Sequence, residues 1–103
     1  MPYCQLYYHL VWTTRDRIPL LTPAAEPPIL DYLRWRAAGL GAAVFALSGA
    51  ADHVHFVATI PPRLAVAAFI AQVQSSAASR FNRRAPEEPL AWADDYGALT
   101  FDG

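Results

Sequence analysis

The sequence contains no lysine: all eight of its basic residues are arginine. Nine acidic residues offset them, so the net charge at pH 7 is −1. No global positive field draws the chain to a polyanion, and any such binding must come from local patches. Alanine is abundant, so the arginine bias reads first as composition. Its functional reading is the planar fork that a guanidinium offers to phosphate. The single cysteine, Cys4, excludes an intramolecular disulfide and fits a reducing compartment. No apolar run approaches the ~18 residues of a membrane-spanning helix. The start, Met1-Pro2-Tyr3-Cys4-Gln5, has no basic leader, so a cytoplasmic location is expected and no membrane partner.

What is present is a hydrophobic fraction of 54%, enough for one packed domain over residues 1–103. Residues 3–14 alternate, with Cys4, Leu6, Tyr8, Leu10 and Trp12 on one face and Tyr3, Gln5, Tyr7, His9 and Val11 on the other. This predicts a first strand. Arg15 to Pro19 is its polar exit. Pro27 and Pro28 allow a helix to begin only around Glu26 to Ile29, and Gly39 and Gly41 end it. Residues 42–48 and 53–60 predict a hairpin. Arg63 to Asn82 predicts a second helix with Val66, Phe69, Ile70, Val73, Ala77 and Phe81 along one face. Arg83 to Pro89 reads as a connector, and Leu90 to Phe101 as a last strand. The order β-α-β-β-α-β is the α+β, ferredoxin-like pattern: an antiparallel sheet with both helices on one face.

Histidine is scarce, and two of the three occur in Asp52-His53-Val54-His55-Phe56-Val57. On a strand His53 and His55 share a side, about 7 Å apart along the chain. Val54, Phe56, Ala58 and Ile60 make the better core face, so both imidazoles point to the face without helices. His9 and Tyr7 fall on that same face of the first strand. Two imidazoles so placed can converge on a metal ion but leave it short of ligands. The alternative is a partly solvated strand face. Asp52 should point away from the histidines and cap the hairpin turn.

Five of the eight arginines form two groups. Arg15 and Arg17 follow the first strand; Arg80, Arg83 and Arg84 close the second helix, where a cation suits the helix dipole as readily as it suits phosphate. Gln74, Ser75 and Ser76 are a solvated helix face or phosphate donors. Trp12, Trp35 and Trp92 each have apolar neighbours and are expected in the core.

Four blocks come in order along the chain. They are Tyr8-His9-Leu10-Val11-Trp12-Thr13-Thr14-Arg15, Asp52 to Val57, Gln74-Ser75-Ser76, and Trp92-Ala93-Asp94-Asp95-Tyr96-Gly97-Ala98. Together they resemble the small single-tyrosine transposases of the HUH type that mobilise bacterial insertion sequences, and most nearly the REP-associated tyrosine transposases. The resemblance covers nearly the whole chain. It implies that His53 and His55 bind a divalent metal, Mg²⁺ or Mn²⁺. It also implies partners in single-stranded or hairpin DNA, and a possible homodimer. Arg15, Arg17, Gln74, Ser75, Ser76, Arg80, Arg83 and Arg84 are the candidate DNA contacts, with His9 and Tyr7 as accessories. The implied chemistry is strand cleavage and rejoining through a 5′-phosphotyrosine.

Two departures accompany the resemblance. The family's nucleophilic tyrosine lies on a helix after the segment matched by Tyr96 to Phe101, with a further metal ligand. The sequence stops at Gly103, so a chain lacking its nucleophile is expected. Gln74 stands where members usually have lysine. A non-catalytic DNA-binding relic, and a ferredoxin-like dimer that binds a small ligand, are the competing readings.

Overall fold

The computed structural model describes residues 6–102. Strand β1 spans Leu6–Thr14, helix α1 Glu26–Gly39, β2 Ala43–Ala50, β3 His53–Thr59, α2 Val66–Arg84 and β4 Trp92–Asp102. The sheet order is β2-β3-β1-β4, and every neighbouring pair is antiparallel. This is the expected β-α-β-β-α-β arrangement. Residues 3–5 of the expected first strand lie outside the described residues.

Local chemistry sets the helix ends. The Thr22 carbonyl accepts from the Glu26 N–H that opens α1, its hydroxyl accepts from the Ala25 N–H just before the helix, and Pro27 and Pro28 sit in the first turn, where no helical donor is lost. Gly41 closes α1 with φ +91°. Its N–H reaches the Ala38 carbonyl, and the Ala42 N–H reaches that of Ala37. This double closure needs a left-handed residue, which glycine adopts without Cβ strain. Helix α2 starts at Val66, later than expected, and ends later as well, at Arg84. Arg83 and Arg84 form its last turn, so the connector begins after them. The side chain of Asn82 then clamps Leu90, accepting from its N–H at 2.6 Å and donating to its carbonyl at 3.0 Å.

Both helices cover one face of the sheet. Leu10, Trp12, Val54, Phe56 and Ala58 from the strands meet Ile29, Leu33 and Ala37 from α1 and Phe69, Ile70, Val73, Ala77 and Phe81 from α2. The alternation expected for β3 therefore holds: Val54, Phe56 and Ala58 are buried, while His53, His55 and Val57 are partly exposed on the other side. Trp12 and Trp92 join the core as expected and meet edge to face at 6.0 Å. Trp35 does not. It is 57% exposed on α1, because it lies outside the buried stripe of Ile29, Leu33 and Ala37. No helix among the described residues is long and apolar enough to cross a membrane.

Candidate metal centre and its surroundings

Strand pairing assembles the histidines. His55 lies opposite Val11 and His53 opposite Thr13, while His9 lies opposite Val57, one diagonal step from His55. The His53 and His55 rings are 5.0 Å apart between centroids, and those of His9 and His55 5.6 Å. All three rings therefore stand on the face that the helices leave open.

The hairpin turn supplies the next layer. Asp52 does not point away from the histidines as expected. Its carboxylate contacts His53 Nδ1 at 2.9 Å and accepts from Arg17 Nε at 3.1 Å. The reason is the loop after β1, which is tied onto this turn. The Thr14 N–H donates to the Asp52 carbonyl and the Leu21 N–H to the Ala51 carbonyl, each at 2.9 Å. Thr14 is fully buried, and its hydroxyl donates to the Ile18 carbonyl at 2.6 Å. Between these anchors Asp16 and Arg17 take left-handed backbone angles, φ 55° and 56°. That conformation is uncommon for arginine, and it belongs to the turn that carries the guanidinium to Asp52. The hydrogen bond from His53, then the Arg17 guanidinium, hold the Asp52 carboxyl below the usual carboxylate range.

With Nδ1 of His53 engaged by Asp52, its Nε2 is the nitrogen left for a cation. A carboxylate behind a ligating imidazole is a recurrent arrangement in metal sites. Among the described residues, His, Cys, Asp and Glu nowhere gather in a group of three able to hold an ion. A cation held by the pair would have to draw its remaining ligands from outside it.

The other candidates are divided between the two sides of the sheet. Arg17 belongs to the histidine site. Arg15 lines a separate, mainly apolar cleft of about 430 Å³ with Ile18, Leu20, Phe81, Glu87 and Glu88. Gln74, Ser75, Ser76, Arg80, Arg83 and Arg84 are all on α2, in the layer across the sheet from the histidines. The backbone carbonyl of Gln74 accepts from Trp92 Nε1 at 3.1 Å. Tyr7 shares the open face but lies opposite Thr59, four residues or about 13 Å along β1 from the row of His55. Its ring meets Phe45 edge to face at 5.1 Å.

Three features escaped the sequence reading. One is the Asp52–His53 contact. Another is exposed Trp35, with the Arg80 guanidinium 4.2 Å from its ring centre. The third is Phe45, 58% exposed, in the register shift between Val44 and Ala46. A bulge turns the alternation of the strand, and no simple pattern in the sequence marks it.

The family profile described as "Transposase IS200 like" matches residues 2–103. The chain belongs to the IS200-like transposase family. It is 32% identical over 76 residues to the ISDra2 transposase TnpA of Deinococcus radiodurans. That alignment covers 74% of this chain and 54% of the relative, so the chain spans about half the length of the curated relative it matches. Its fold is similar to the crystal structure of a protein described as a transposase from Deinococcus radiodurans R1. There the TM-score is 0.88 at 26% identity, over 98% of this chain and 82% of the other. It also shares its fold with a REP-associated tyrosine transposase bound to a REP hairpin. In that case the TM-score is 0.66 at 12% identity, over 100% of this chain and 61% of the other.

Proposed function

We propose that this IS200-like chain is a DNA-handling transposase domain. In this reading it binds single-stranded or hairpin DNA at a mobile-element end. His53 and His55 hold a divalent cation, Mg²⁺ or Mn²⁺, beside the phosphate to be cut. The observation that carries the reading is the pair itself: two imidazoles on the open sheet face, one of them backed by a carboxylate. The cation, when bound, supplies charge that polarises a phosphate oxygen.

The residues of the chain do the rest. Asp52 orients His53 and keeps its Nε2 directed away from the turn. Arg17, held at the same carboxylate, places a guanidinium at the edge of the site, where a strand phosphate is its natural partner. Attack is assigned by the resemblance to a tyrosine on a helix beyond the segment matched by Tyr96 to Phe101. Tyr7 is too far along β1 to take that role.

The test is binding and cleavage of a hairpin-bearing oligonucleotide against a random one at equal salt, with and without Mn²⁺. Metal-dependent preference for the hairpin is expected. Metal-independent preference would identify a non-catalytic DNA-binding relic. Equal binding to both oligonucleotides would remove the DNA reading. A covalent protein–DNA adduct formed by these 103 residues would overturn the expectation that the nucleophile lies elsewhere.

A further inference from the structure

Both imidazoles of the pair have Nδ1 occupied, by different partners. Asp52 holds that of His53 at 2.9 Å. The Nδ1 of His55 faces Nε2 of His9 at 3.4 Å, across 46 residues of chain. We propose that His9 is the positioning residue for His55: its Nε2 accepts a hydrogen bond from His55 Nδ1 and so selects the tautomer whose Nε2 lone pair is free for a cation. The purpose of this contact rests on the metal reading above; its geometry does not.

The direction of the bond follows from imidazole chemistry. A neutral ring has one N–H and one lone pair. Were His55 Nδ1 the acceptor, its proton would sit on Nε2 and block ligation there. Donation from His55 Nδ1 to His9 leaves Nε2 available. The same contact uses the Nε2 lone pair of His9, so His9 supports the site from behind and does not supply that nitrogen to the ion. His9 thus does with a neutral ring for His55 what Asp52 does with a carboxylate for His53. Strand register makes this possible, because His9 is diagonal to His55 on the same face, with the rings tilted by 44°.

Long-range ¹H–¹⁵N spectra of the metal-free chain read the tautomers directly. Both His53 and His55 are expected as Nδ1–H. In His9→Leu, His55 should move toward the Nε2–H form while His53 stays unchanged. His9→Gln, whose Oε1 can accept the same bond, should restore it. Mn²⁺ affinity, followed by electron paramagnetic resonance, should fall about 10–100-fold in His9→Leu, the usual loss for a partner behind a ligand, and recover in His9→Gln. If His9→Leu does not fold, His9→Phe keeps a ring on the sheet and carries the same expectation. An Nε2–H tautomer of His55 in the wild type would overturn the proposal, as would unchanged tautomer and affinity in the variants. A wild type that binds no Mn²⁺ but shows the tautomer shift would remove the metal reading and leave the role of His9 standing.

Discussion

Asp52 grips His53 by its Nδ1, with 2.9 Å between carboxylate and ring. Adjacent residues on a strand would face opposite sides, but Asp52 sits in the turn before β3, where alternation does not apply. Its side chain is therefore free to fold back onto the ring that follows. Asp52→Ala should lower Mn²⁺ affinity about 10–100-fold, the scale for losing the group behind a ligating imidazole. Calorimetric titration checks this, and the metal-free thermal midpoint of the variant shows whether the fold is intact.

The same carboxylate predicts a pH dependence. His53 and then Arg17 lower its pKa in the folded state, so the charged form is favoured by folding. Its contribution to stability is present above the ordinary carboxylate range. It is lost as pH falls through the lowered folded pKa. Wild type should therefore be more stable than Asp52→Asn at neutral pH. The difference should shrink toward zero in acid, below the usual carboxylate range. Urea unfolding of both proteins across this range is the measurement.

Thr14 ties the loop of Arg17 to the hairpin turn. Thr14→Val keeps the shape and removes the hydroxyl, leaving the Ile18 carbonyl without its 2.6 Å donor. The Ile18 carbonyl keeps the Leu20 N–H at 2.7 Å, so the cost should be that of one ordinary hydrogen bond, about 0.5–1.5 kcal/mol, measured by chemical denaturation. The Arg17–Asp52 contact should loosen with it.

How much of this was legible in the sequence depends on the kind of signal. Period-two alternation marked β1 and β3 and assigned His53, His55 and His9 to one face, because burial on the other face enforces the register. Proline and glycine punctuation bounded α1. The charged run after Asn82 hides the end of α2, since arginine continues a helix well. Trp35 has apolar neighbours in sequence, yet the helical stripe of Ile29, Leu33 and Ala37 excludes it from the core. The Asp52 contact was hidden because it depends on a turn and a distant loop, Thr14 to Arg17, which no local pattern reports.

Arginines on the two sides of the sheet should behave differently with DNA. Arg17→Gln breaks an exposed pair worth about 0–1 kcal/mol, so stability should barely change. If Arg17 meets phosphate, the slope of log binding constant against log salt should become shallower by about one. Replacing Arg80, Arg83 and Arg84 together with alanine tests whether the helix layer also touches the backbone. Phosphate contact at all of them predicts a slope change of about three, read by fluorescence anisotropy.

The proposed function requires that His53 and His55 hold one divalent cation beside the DNA. Mn²⁺ titration followed by electron paramagnetic resonance, on the chain bound to a hairpin-bearing oligonucleotide, tests it most directly. Saturable uptake of one ion per chain is expected, abolished by either His53→Ala or His55→Ala. Uptake that is unchanged in both variants would contradict it.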